Sequence, residues 1–218
     1  MTEKAEMSTH NITVLGTFAP AMFHPQWLSA HSLIRKSEAD TASVKVISSD
    51  ISFFSLEWLE IQILPERAIF VSAQEPYFEA LRDLVVGVFE IITTAPIKQI
   101  GFNYQRHYTS SSEKLWSTLS GEFPSSSRIF ASLPDPEIES IKLSCKRPYN
   151  SLPGAFNLIL EPSKLFPNGL YINSNDHYEI NGYSDDQGSG PAMDIITEQW
   201  GLSKDFLTSV VSSLVTQA

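Results

Sequence analysis

Two hydrophobic periods lie side by side in this chain, and together they narrow what it can fold into. Between Trp58 and Leu64 apolar and polar residues alternate, with Leu59, Ile61 and Ile63 against Glu60 and Gln62. A repeat of two belongs to a half-buried strand. From Phe78 to Ile92 the repeat lengthens. Phe78, Leu81, Val85, Val88, Phe89 and Ile92 recur at helical spacing, and Glu79, Arg82, Asp83 and Glu90 fill much of the other face. Pro76 suits the first turn of that helix, and Thr93, Thr94 and Pro96 end it. Alternation then resumes, with Ile100, Phe102 and Tyr104 against Gln99, Asn103 and Gln105.

The same signals place the other elements. Ile12 to Phe18 reads as a first strand, followed by an aromatic connector stiffened by Pro20 and Pro25. A short helix is expected over Trp27 to Arg35. Ser43 to Phe54 is extended, with a bend at Ser48-Ser49-Asp50. Pro65-Glu66-Arg67 is a turn and Ala68 to Ser72 a returning strand. Further on, Ile138 to Lys146 and Ala155 to Glu161 read as strands and Leu170 to Asn173 as a returning strand. A loop rich in Asn, Asp and Gly spans 173–190. Helices follow over Ala192 to Trp200 and Ser203 to Val215, with Ser203 as N-cap.

These elements predict an α+β fold, an antiparallel sheet with helices packed on one face. The other face is then solvated or used for binding. Leu160 to Phe166 echoes Leu64 to Phe70, which suggests two related β-β-β-α halves, 12–108 and 129–218. Residues 1–11 would be a flexible tail and 109–128 a connector. Chance likeness between two ordinary meanders accounts for the echo equally well.

Composition bounds the partners. The 218 residues, 42% of them apolar, suffice for one large core or two small joined ones. The formal net charge is −10, and no run of Lys and Arg interrupts it; the densest spots are Lys142, Lys146 and Arg147, and Arg35 with Lys36. Such a field repels phosphate backbones, so neither nucleic acid nor an anionic membrane is an expected partner. Leu84 to Ile92 is the longest apolar stretch and is broken by Gly87 and Glu90, far short of a membrane span. Met1 to His10 lacks the apolar core of an export signal, so the cytoplasm is the expected location. Cys145 is the single cysteine, which excludes an intramolecular disulfide, and a buried packing role is expected for it.

Phe18-x-Pro20, His24-Pro25-x-Trp27-Leu28, Leu81-Arg82-Asp83-Leu84-Val85 and Ile100-Gly101-x-Asn103-x-x-x-His107 together resemble a family of uncharacterised bacterial proteins of about this length. The resemblance implies a bacterial or phage origin. It implies no activity.

Chemical signatures are sparse. The phosphate-cradling, dinucleotide, zinc-protease and nucleophile-elbow motifs are absent, and no cysteine pair could hold zinc. No catalytic group, metal or cofactor is therefore expected. Asn173 to Glu179 with Asp185, Asp186 and Gly188 is dense in oxygen ligands but lacks calcium-loop order; a turn-rich surface loop is the simpler reading. Gly101 to Tyr108 is the most informative strand, because it mixes aromatics with Asn103, Arg106 and His107. The leading expectation is a non-enzymatic binding or assembly protein. Asn103, Arg106 and His107, or the loop carrying Asp176 and His177, would contact a protein partner or a second copy. One alternative is an enzyme in which His107 and Arg106 converge with His177 or Asp176. The other is a small-ligand carrier with a cleft between sheet and helices.

Overall fold

In the computed structural model, which describes residues 5–109, 115–121, 132–180, 182 and 188–216, alternation and helical periodicity sort the chain into two layers. The strands are β1 (Met7–Gly16), β2 (Ser43–Ile47), β3 (Ser52–Ser55), β4 (Glu60–Leu64), β5 (Arg67–Ser72), β6 (Ile97–Tyr108), β7 (Ile141–Cys145), β8 (Gly154–Pro162) and β9 (Leu170–Glu179). The helices are α1 (Pro25–Ala30), α2 (Lys36–Asp40), α3 (Phe78–Ile91), α4 (Leu115–Gly121) and α5 (Gly190–Thr216). All nine strands join one sheet in the order β2-β3-β4-β5-β1-β6-β9-β8-β7, and every pairing is antiparallel. The fold is α+β, as expected.

The two long helices cover one face. Alternation aims Ile12, Val14, Phe70, Ile100, Phe102 and Tyr104 to that side, where all six are fully buried. α3 adds Leu81, Val85, Val88 and Phe89, also fully buried. At about 1.5–3 kcal/mol per large apolar side chain, this layer is the main source of stability. Along α5 the buried positions Ala192, Ile196, Trp200, Ser203, Leu207 and Val211 form one unbroken stripe. That phase explains why the two helices expected over 192–215 are a single 27-residue helix, with Ser203 packed at its middle and not capping a new start. Gly188, at φ +70°, brings the chain so close to α3 that a Cβ there would lie 2.3 Å from the Thr93 carbonyl oxygen. Ser189 then donates its hydroxyl to the Phe89 carbonyl at 2.8 Å, tying the start of α5 to the end of α3.

From the centre outwards the sheet reads β1-β5-β4-β3-β2 on one side and β6-β9-β8-β7 on the other. β5 returns to pair with β1, and β9 returns to pair with β6. The connector expected at 109–128 lies mostly outside the described residues, apart from α4.

Several elements differ from expectation. β1 starts at Met7, so His10 lies in the sheet instead of a tail. The helix expected over Trp27 to Arg35 ends at Ala30, and α2 follows separately. Ser43 to Phe54 is a hairpin, because Ser48 closes a turn with its hydroxyl and amide on the Ile51 carbonyl. Cys145 is exposed, not buried, because β7 is an edge strand. The largest difference is β9: Asn173 to Glu179, expected as loop, is strand. Its residues are polar on both faces, which hid the alternation. Successive side chains in a strand point to opposite sides, so Asn173 to Glu179 do not converge as a loop's ligands would; Asp185 and Asp186, the rest of that polar group, lie outside the described residues.

Candidate functional site

Three polar arrangements stand out against this apolar frame. The first crosses the uncovered face of the sheet. Strand register aligns Ser43, Ser55, Glu60, Val71, Asn11, Asn103, Asn175, Asn157 and Ser144 in a single rung through all nine strands. Its centre is four asparagines, a residue depleted in strands. They are linked in one direction. Asn157 Nδ2 donates to Asn175 Oδ1 at 3.3 Å, Asn175 Nδ2 to Asn103 Oδ1 at 2.7 Å, and Asn103 Nδ2 to Asn11 Oδ1 at 2.7 Å. Thr13 also donates to Asn11 Oδ1. In the neighbouring rung Thr13, Gly101 and His177 lie side by side. The missing side chain at Gly101 leaves a notch of about 120 Å³ walled by Asn103, Asn175 and His177. A Cβ at that position would meet Asn175 Nδ2 at 2.9 Å.

The second is a buried ion pair under α5. Arg147 and Asp176 have side chains 1% and 0% exposed and meet at 3.2 Å. Every edge of the guanidinium is occupied: by Asn150 Oδ1, by Asp176, and by the carbonyls of Leu152, Pro153 and His177. Tyr149 and Tyr178 both donate hydroxyls to Asp176 Oδ2. Burial, and the carboxylate they bond, push both phenols above their usual range. The Tyr178 ring stacks 4.0 Å below the guanidinium. Asn150 extends the network to Gln199 of α5. With its partners complete, this cluster holds the 147–153 loop between sheet and helix and has nothing left to offer a ligand.

The third is a cleft of about 390 Å³ on the helix side, where β1 and β6 pass the beginning of α3 and the middle of α5. His10 is 1% exposed on its wall. Its ring stacks on Phe78 at 3.5 Å and meets Tyr104 and Trp200 edge-on, so its position is fixed. Neither ring nitrogen has a hydrogen-bond partner among the described residues, and neither has the buried Nε of Arg106. Burial, then the charges of Arg106 and Lys204, lower the His10 pKa to about 2, so the imidazole is neutral at ordinary pH. Lys204 is neutralised by Glu79 across the same cleft.

These placements separate the residues that the sequence singled out. Asn103, His107 and His177 are on the uncovered face; Arg106 and Asp176 are on the helix face. His107 lies opposite Tyr171 and His177 opposite Gly101, six residues apart along β6, about 20 Å at the rise of a strand. The convergent His107–Arg106–His177–Asp176 constellation is not formed, because adjacent strand positions face opposite ways. His107 instead bonds Ser163 at 2.9 Å and packs on Tyr171, fixing the β8–β9 turn; partial burial lowers its pKa. Asp176 is bound into the Arg147 cluster. Among the described residues no group of three or more His, Cys, Asp or Glu side chains could hold a metal. His10 was missed, although its spacing to Ile12 and Val14 placed it in phase with the core.

Comparison with known protein families finds no family that matches the chain, and a search of curated proteins finds no significant match. Among the described residues no helix is long and apolar enough to cross a membrane.

Proposed function

We propose that this is a cytoplasmic, non-enzymatic binding protein that docks another protein on the uncovered face of its sheet. The observation that carries the reading is the notch at Gly101, set in the middle of that face and rimmed by the amides of Asn103 and Asn175 and by His177. A flat polar face needs only solvation. A fixed depression with hydrogen-bonding walls gives a partner's side chain a place to anchor, and half-buried Leu15, Ile69 and Val71 beside it add apolar area. The net charge of −10 favours a basic partner over a second copy, because two such chains repel at long range.

A photo-crosslinking residue at Gln99, on the rim of the notch, tests this in host lysate. The expected result is one discrete adduct with a basic protein. It should be absent when the crosslinker sits at exposed Glu90 on α3, and it should be lost when Gln105→Arg adds a repelling charge to the face. Adducts of equal yield from both positions, or none from Gln99, would reject the reading.

A further inference from the structure

At one side the sheet ends in a strand none of whose residues is buried. All five positions of β2 are exposed, among them Val44, Val46 and Ile47. Such β-branched side chains suit a half-buried surface, and on an open edge they invite pairing. Among the described residues β2 pairs only with β3, so its outer edge presents backbone N–H and C=O groups to no neighbouring strand. The pairing with β3 is also irregular. Val44 lies opposite Phe54 and Val46 opposite Phe53, which makes Lys45 an extra residue, a bulge. The bulge changes the phase of the strand. Val44 and Ile47, three apart, both lie on the covered side, opposite the buried Phe54 and Ser52; Lys45 and Val46 share the place opposite Phe53 on the other side.

We infer that β2 pairs with β2 of a second copy, antiparallel about a two-fold axis, so that two nine-stranded sheets join into one. The bulge selects this mate. A regular strand laid on β2 falls out of phase at Lys45, and its apolar residues then change face. A second β2 carries the same extra residue at the same place. With Val44 opposite Ile47 of the second copy, Lys45 falls opposite Val46 of the second copy, and the axis repeats both pairs. Each pair stays on one face: two aliphatic pairs on the covered side, two lysine stems beside valines on the other. The two Lys45 ammonium groups are then diagonal, not opposed. The other edge does not compete. β7 meets β8 one to one, without a bulge, and head-to-tail joining of β7 to β2 would leave an open, growing sheet. Two chains of charge −10 repel at long range, but physiological salt screens that field over about 8 Å, whereas strand pairing acts at contact. A five-residue seam buries little area, so the dimer is weak and reversible. The notch at Gly101 lies five strand spacings away, about 24 Å, and stays open on both copies.

Sedimentation velocity on the full chain tests this over a range of concentration, at low and high salt. The expected result is a monomer–dimer equilibrium whose dimer fraction rises with concentration and with salt, the reverse of the salt response of a basic partner at the notch. Val44→Lys and Ile47→Glu change exposed positions and should leave the melting temperature near the parent's. Each should weaken its own dimer by about tenfold, because each change is felt twice across the axis. Mixed together, the two variants should recover a heterodimer, since the introduced lysine then faces the introduced glutamate and the second aliphatic pair is intact. The Gln99 adduct should be unchanged in Val44→Lys, so the edge and the notch are tested separately. A chain that stays monomeric at every concentration and salt, a dimer of full strength in folded Val44→Lys, or no heterodimer from the mixture would each overturn the inference.

Discussion

The two sides of the sheet meet the same demand, a helix to be seated on four or five strands, with different chemistry. On the β1–β5 side α3 rests on an apolar surface, Phe70 and Ile12 beneath Leu81, Val85 and Phe89. On the β6–β9 side α5 spans Phe102 and Tyr178 but also roofs a buried arginine and aspartate with four polar neighbours. Apolar packing is non-directional and tolerates adjustment. A buried ion pair does not: it costs several kcal/mol of desolvation per charge and stands only while every partner is in place. The first side should therefore yield gradually to mutation and the second abruptly.

The largest effect should come from breaking the pair. Arg147→Ala leaves Asp176 buried without its cation and should cost about 3–5 kcal/mol in urea unfolding. The sharper comparison is the double replacement Arg147→Met with Asp176→Leu, which removes both charges and should recover most of that loss. On the other side Leu81→Ala should cost about 2–5 kcal/mol through its cavity, with no second change of similar kind to restore it. If the double replacement is as unstable as Arg147→Ala, the cluster's worth lies in its hydrogen bonds to the 147–153 loop and not in charge pairing.

The next effect belongs to His10, between the two sides. Its folded pKa is depressed to about 2 from an ordinary 6.5, so the unfolded chain takes up the proton first. Stability is complete above pH 6.5 and falls as pH drops below it, by about 1.4 kcal/mol per unit from this group. Glu38 and Glu79, whose carboxyls are held low by Arg35 and Lys204 in spite of partial burial, add loss of the same sign at lower pH. His10→Phe should remove about 2 kcal/mol of the difference in stability between pH 7 and pH 5. A variant that keeps the parent's slope over that interval would show that the proton is taken up elsewhere.

The same contrast explains what could be read from the chain. On the β1–β5 side the alternation of Leu59 to Ile63 and the stripe of α3 are written in apolar residues, so strand, helix and covered face follow from periodicity. In β9 the period of two is present but coded in polar residues, with Ser174, Asp176 and Tyr178 inward and Asn173, Asn175 and His177 outward. Hydropathy alone cannot detect that pattern; the inward carboxylate of Asp176 is tolerable because Arg147, about thirty residues away, returns to pair with it, and Tyr178 bonds that same carboxylate. The asparagine rung was invisible for a related reason, since Asn11, Asn103, Asn157 and Asn175 meet only through register. Of the residues marked from sequence, Asn103 lies in that rung and Arg106 in the cleft, whereas His107 and Asp176 are bound into structural contacts.

The smallest effect tests whether the rung serves the sheet or the surface. Asn103 accepts from Asn175 and donates to Asn11, bonds worth about 0.5–1.5 kcal/mol each when partly exposed. Asn103→Val gives up both but gains strand propensity of up to about 1 kcal/mol, so the net loss should be no more than about 2 kcal/mol. A double-mutant cycle with Asn175→Val isolates the shared bond and should return about 1 kcal/mol of coupling. If the rung exists to pin register, that coupling should appear in the folding rate, because α5 packs on β6 and its seat is complete only once β6 and β9 align. If it exists to shape the notch at Gly101, the folding rate should be unchanged, and Asn103→Val should abolish the Gln99 adduct while costing little stability. The two purposes thus separate on one variant, by kinetics on one hand and by crosslinking on the other.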